Sequence, residues 1–141
     1  YTGCRQGELL KIKPTDVDFS TNVVLIGGKK RSSTKNRKGR PVPINDKIKP
    51  IIKNRLSNTY LFGDDWNNKD QLYNAFKKVR KLAGHDETYC WHSLRHSNAT
   101  WLGAVTHPRT IMELLGHRSI NTTLQYCKAT DEAQHKAVSL L

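Results

Sequence analysis

The chain reads as a mainly α domain with a small antiparallel β-sheet near its N-terminus. Three observations predict this. Residues 68–83 place Leu72, Phe76, Val79 and Leu82 or Ala83 at the helical period, and shorter apolar stripes of the same spacing recur on either side. Residues 15–44 lose that period: Asp16-Val17-Asp18-Phe19 alternates, Ser20-Thr21-Asn22 has turn chemistry, and Val23-Val24-Leu25-Ile26 is a short β-branched run. The length, 141 residues with 36% apolar, suits one domain with a modest core.

Taken in order, residues 4–11 read as a helix with Leu9, Leu10 and Ile12 apolar and Pro14 marking its exit. The sheet region follows, broken by Gly27-Gly28. Asn45 can cap a helix running to about Leu56, with Ile48, Ile51, Ile52 and Leu56 on one stripe. Pro50 pushes the start of its regular part later. Tyr60-Leu61-Phe62 reads as a short extended piece before a turn at Gly63-Asp64-Asp65. The helix over 68–83 ends at Gly84 and carries Lys77, Lys78, Arg80 and Lys81 on its far side. Trp91 and His92 open the next helix, with Leu94, Trp101 and Leu102 inward and His92, Arg95 and His96 opposite. Pro108 fits a first helical turn, and Ile111, Met112, Leu114 and Leu115 pack before a stop at Gly116. Ser119 can cap a last short helix that carries Tyr126, and residues 129–141 are polar and helix-prone.

The formal net charge is +12, from 24 Lys and Arg against 12 Asp and Glu. Such an excess on one small domain points to a polyanion, and nucleic acid fits better than a membrane surface, since no basic amphipathic stretch carries aromatic anchors. Seven cations fall within residues 29–40. Lys29, Lys30, Arg31, Arg37, Lys38 and Arg40 are expected to touch nucleic-acid backbone phosphates without reading sequence. Three cysteines without a Cys-x-x-Cys argue against a disulfide framework and for a reducing cytoplasm. No run of about 18 apolar residues predicts a membrane span, and neither a P-loop nor a dinucleotide motif is present. His92 and His96 could share a zinc ion, but Ser93 stands where a zinc-protease helix needs Glu, and no third ligand is evident. No metal or other cofactor is expected.

The chemistry-bearing residues come in boxes. Thr2-Gly3-Cys4-Arg5-Gln6-Gly7-Glu8-Leu9 opens the chain, and Lys35 precedes Pro43 of Pro41-Val42-Pro43-Ile44 by eight residues. His92-Ser93-Leu94-Arg95-His96 follows, then Leu114-Leu115-Gly116-His117, and Tyr126 lies nine residues past His117. Arginine beside histidine suits a phosphate, because a guanidinium fork binds two oxygens while an imidazole donates a hydrogen bond or moves a proton. By spacing alone, Arg5 and Glu8 could be an ordinary surface ion pair, and His96 a histidine bonded to backbone.

Together these boxes resemble the tyrosine recombinases, or phage integrase family, over residues 2–126. Each is unspecific alone; five in this order are not. The resemblance implies the catalytic-domain architecture of a DNA breaking-rejoining enzyme, preceded in the family by a separate helical DNA-binding domain. On that basis the chain is expected to be one catalytic domain over 1–141, a fragment of something longer, with 129–141 a segment able to dock on a neighbouring protomer. It implies that Arg5 and Arg95 clamp a scissile phosphate and that His117 donates a hydrogen bond to it. Tyr126 would attack phosphorus to give a 3′-phosphotyrosyl link, with neighbouring cations lowering its pKa and His92 able to accept its proton. Lys35 would protonate the departing 5′ oxygen, although Lys29, Lys30 and Lys38 are rivals for that role. Glu8 and His96 would support the site. Religation then needs neither metal nor ATP. The implied partners are double-stranded DNA, a homotetramer on two duplexes and accessory DNA-bending proteins, in a bacterial or phage setting on nucleoid DNA. A type IB topoisomerase shares the chemistry, and a DNA-binding module without catalysis is the further alternative. Cys127-Lys128 departs from the common pattern, where many relatives carry a histidine two residues past the tyrosine.

Overall fold

A computed structural model describes residues 1–28, 39–66, 68–127 and 138–139. It is mainly helical with one small sheet, the predicted class. The elements run α1 (Gln6–Leu9), a 3-10 turn (Pro14–Asp16), β1 (Val17–Asp18), β2 (Val23–Ile26), β3 (Arg40–Pro43), α2 (Lys49–Lys53), α3 (Lys69–Leu82), α4 (Trp91–Gly103), α5 (Pro108–Leu115) and α6 (Asn121–Leu124). No helix among the described residues is long and apolar enough to cross a membrane.

The strands pair antiparallel in the order β1-β2-β3, with Val17 opposite Val24 and Val24 opposite Val42. Alternation decides which face is covered: Val24, Ile26 and Val42 turn inward and are buried. Pro41 and Pro43 have no N–H to give a ladder, which confines their strand to the edge of a sheet, where β3 lies. The covered face joins Ile12, Ile44, Ile52 and Leu61 in one core. A smaller core of Ala99, Ile111 and Leu115, flanked by Leu102, Tyr126 and Cys127, binds α4 to α5 and α6. Leu114 packs against the first core, so α5 touches both.

Several inward-facing positions differ from the periodic reading. In α4, Leu94 and Trp101 are exposed, and the buried positions are Arg95 and Ala99. The reason is polar: Arg95 finds backbone carbonyls inside, so its burial is compensated and the helix rotates to keep it there. Likewise Arg80 is buried in α3, donating to the carbonyls of Glu87 and Tyr89, whereas Val79 and Leu82 are exposed. In α2 only Ile52 of the expected stripe is fully buried; Ile51 and Leu56 face outward. The helix is five residues long because Pro50 holds its first turn and Asn54 ends it. Residues 61–65 are a turn rather than an extended piece, anchored where the Leu61 N–H donates to the Ile12 carbonyl at 2.8 Å.

Candidate active site

Arg5 sits at the N-cap of α1, and the Glu8 carboxylate folds back to accept its backbone N–H at 2.8 Å. Glu8 also accepts from Arg5 Nη1 at 3.0 Å. Arg5 is half exposed, and its other terminal nitrogen reaches the Gly116 carbonyl at 3.5 Å. The spacing Arg5 to Glu8 therefore makes the expected pair, but Glu8 has a second cation. Arg40 donates from Nη1 and Nη2 to its two oxygens at 3.2 and 2.9 Å, and from Nε to the Leu114 carbonyl at 2.8 Å. Burial alone would raise the Glu8 pKa. The hydrogen bonds from Arg40 and Arg5 outweigh it and hold the carboxyl at about 2.

Arg40 thus lies inside the molecule, with only 13% of its side chain exposed, rather than out on the surface as a contact to DNA phosphates would require. It ties β3 to α1 and to the end of α5. Gly116 makes room for it: the residue takes the left-handed conformation that stops α5 (φ 66°, ψ 47°), and a Cβ there would meet the Arg40 guanidinium at about 3.1 Å. Lys29, Lys30, Arg31, Lys35, Arg37 and Lys38 lie outside the described residues, as do residues 129–137.

Arg95 is buried, and its terminal nitrogens donate to Gly3 O at 2.7 Å and Leu115 O at 2.6 Å. Gly3 presents that carbonyl from a positive φ of 58°, pressed against Leu115 and Asn98 with no room for a Cβ. Burial, then repulsion from Arg5 and Arg40, lowers the Arg95 pKa to about 10. His117 follows Gly116, and its Nδ1 is bonded to the buried Thr123 hydroxyl at 2.8 Å. Burial, then Arg95, Arg5 and Arg40, pushes its pKa down to about 4, so the ring is neutral at neutral pH. Arg5 and Arg40 share the Glu8 carboxylate, and Arg95 lies close enough for both of their charges to depress its pKa, so three arginines cluster around a single carboxylate.

Tyr126 follows α6, its ring stacked beside His117 with centroids 6.5 Å apart. Gly103, at the end of α4, lets the chain come this close, because a Cβ there would overlap the Tyr126 carbonyl. Burial raises the phenol pKa and outweighs the opposing pull of Arg95, contrary to the lowering expected from nearby cations. The hydroxyl is hydrogen-bonded to Nδ1 of His96. His96 is exposed and bonded to the phenol, not a core histidine on a backbone group. His92 packs edge-on against His96 at 4.6 Å, and burial, then His96, Arg95 and Arg5, lowers its pKa.

The structure therefore gathers Arg5, Glu8, His92, Arg95, His96, His117 and Tyr126, together with Arg40 and Thr123, whose places no sequence pattern announced. Among the described residues no three His, Cys, Asp or Glu side chains gather as a cation cage would require.

The family model for the phage integrase family matches residues 1–133. The chain belongs to the phage integrase family. Curated relatives in it include a tyrosine recombinase of Thermosipho africanus, 31% identical over 148 aligned residues, covering 100% of this chain and 50% of the relative. Another is tyrosine recombinase XerA of Pyrococcus horikoshii, 34% identical, covering 96% of this chain and 50% of the relative. The chain spans about half the length of the curated relatives it matches. Among solved structures, the XerA recombinase superimposes with a TM-score of 0.72 at 28% identity, over 99% of this chain and 54% of that one. The XerH site-specific recombinase, bound to palindromic difH substrate in a post-cleavage complex, gives 0.74 at 27% identity, over 99% and 42%. Both structures thus share this chain's fold over 99% of its length.

Proposed function

We propose that this chain is the catalytic domain of a site-specific DNA recombinase or integrase. It cleaves and rejoins DNA strands through a covalent 3′-phosphotyrosyl intermediate on Tyr126, without metal or ATP. The observation that carries this reading is the convergence of Arg5, Arg95, His117 and Tyr126 from four separated stretches into one cation-rich cluster. Cutting a phosphodiester in this way requires charge stabilisation on the non-bridging oxygens, loss of a proton from the nucleophile and gain of one by the leaving oxygen. Arg5 and Arg95 meet the first need with donors fixed before the phosphate arrives. Neutral His117 adds a hydrogen bond, and His92 belongs to the same cluster. Tyr126 attacks phosphorus in line. Lys35 supplies the proton to the 5′ oxygen, and the stored phosphotyrosyl bond lets another strand's 5′ hydroxyl reverse the step.

The partner is double-stranded DNA, in keeping with the net charge of +12 and with the DNA complexes of the related structures. Acting beside a separate DNA-binding domain, the full-length protein, bacterial or phage-encoded, works as a tetramer on two duplexes of nucleoid DNA in the cytoplasm, with accessory DNA-bending proteins. Lys29, Lys30, Arg31, Arg37 and Lys38 grip the backbone, and residues 129–141 dock on a neighbouring protomer.

Covalent trapping tests the reading. Full-length protein is incubated with a pool of nicked duplexes of randomised sequence, denatured, and the protein–DNA adduct mapped. A link to Tyr126 that vanishes in Tyr126→Phe is expected. DNA binding without any adduct would leave only a binding module, and relaxation of supercoiled plasmid without strand exchange would indicate a topoisomerase.

A further inference from the structure

We propose that His96 is the general base of the cleavage step, taking the Tyr126 proton directly as the phenol attacks, and returning it when the strand is religated. This rests on the reading of Tyr126 as nucleophile given above.

Three imidazoles stand near the phenol, and their geometry separates them. His96 Nδ1 is the hydrogen-bond partner of the Tyr126 hydroxyl. With Nδ1 accepting, the ring's own proton lies on Nε2, the tautomer a base in waiting requires. His117 is the other ring against the phenol, but its Nδ1 is occupied by the Thr123 hydroxyl and its face, not a nitrogen, lies beside Tyr126. His92 makes its ring contact with His96 rather than with the phenol. His96 is exposed, so a developing imidazolium keeps its water, whereas Arg95, one residue earlier, points into the protein toward Gly3 and Leu115. The titratable groups facing it are Tyr126, from the segment after α6, and His92, from its own helix.

The step balances. The Oη–H bond of Tyr126 breaks and its proton passes to Nδ1 of His96. Oη forms the bond to phosphorus as the bond from phosphorus to the 5′ oxygen breaks, and that oxygen takes its proton from Lys35. Religation runs the same path backwards, with the His96 imidazolium protonating the departing phenolate.

The test is single-turnover cleavage by full-length protein, followed across pH, on a duplex recovered from the randomised pool by covalent capture on the wild type. The duplex is resynthesised with a bridging 5′ sulfur at the scissile position. A thiolate leaves without a proton, so the rate then reports the nucleophile's side alone. His96→Ala is expected to slow adduct formation about 100-fold at neutral pH, the lower range for a lost general base. The deficit should shrink as the pH rises past 10, because the buried phenol ionises unaided only above its ordinary range. His96→Asn, whose amide oxygen can keep the hydrogen bond but cannot take the proton, should be as slow as His96→Ala. Full activity in His96→Asn, or a deficit unchanged across pH, would reduce His96 to a positioning residue and overturn the proposal. A wild-type protein that forms no adduct at Tyr126 would overturn the underlying reading as well.

Discussion

Arg40 and Glu8, thirty-two residues apart in sequence, meet through two hydrogen bonds that pair both guanidinium tips with both carboxylate oxygens. Both side chains are largely enclosed; without Arg40 the Glu8 carboxylate keeps only the half-exposed Arg5, and without Glu8 the Arg40 guanidinium keeps only the Leu114 carbonyl. Arg40→Met is expected to cost about 3 kcal/mol of stability, the low end for breaking a buried pair. The double variant Arg40→Met with Glu8→Gln should recover part of that loss, since no buried charge then lacks a partner. Urea unfolding of the four proteins measures both effects.

The same carboxylate sets an acid limit. Glu8 titrates at about 2 in the folded protein against an ordinary 4.5, so its contribution to stability is complete above pH 4.5 and is lost as the pH falls toward 2. The loss amounts to about 3 kcal/mol for a shift of this size. Thermal unfolding across that window should show a decline that is smaller in Glu8→Gln.

His117 should remain neutral down to about pH 4. Its depressed value means that protonation favours unfolding, a penalty that begins below pH 6.5 and grows until about 4. Nitrogen chemical shifts of labelled histidine read the titration directly. Inorganic phosphate bound among Arg5, Arg95 and His117 should move it upward, because an anion offsets the arginine charges that now hold it down.

Thr123→Val keeps the shape of a fully buried side chain but removes the hydroxyl that holds His117 Nδ1. Cleavage should slow about tenfold, as for a misoriented hydrogen-bond donor, while stability changes by only about 1 kcal/mol. Single-turnover cleavage and a melting curve together check the split.

Gly103→Ala sets two effects against each other. Alanine in a helix is worth about 0.5–1 kcal/mol over glycine, yet its Cβ would occupy the place of the Tyr126 carbonyl. The backbone contact cannot yield cheaply, so the tyrosine moves. Adduct formation should fall about 100-fold, the scale for a displaced reacting group, with the helical circular dichroism retained.

Sheet, helices and most of the residues that the fold brings together were legible because periodicity and box order are local properties of a sequence. The strand Val23–Ile26, the stop at Gly116 and the Pro108 start all follow from backbone preferences of the residues concerned. The inward faces of α3 and α4 were not legible, since hydropathy sends arginine outward. Whether Arg80 or Arg95 can be buried depends on carbonyls supplied from elsewhere in the chain. Arg40 was hidden for a related reason. In sequence it is the last of seven cations, and only the fold sets it beside Glu8. The partner of the phenol was likewise a question of helix rotation: His92 and His96 lie one turn apart, and composition cannot choose between them.

The grip on Arg95 has a kinetic meaning. One of its carbonyls comes from ninety-two residues away and the other from twenty, and each binds a different terminal nitrogen. When residues 2–4 detach, the guanidinium loses half its anchorage although α4 and α5 remain folded. On the proposed mechanism, a molecule in that state lacks a fixed phosphate clamp and does not cleave until the segment returns. Loosening that short segment should therefore shrink the burst of covalent product without altering the rate constant at which the burst appears.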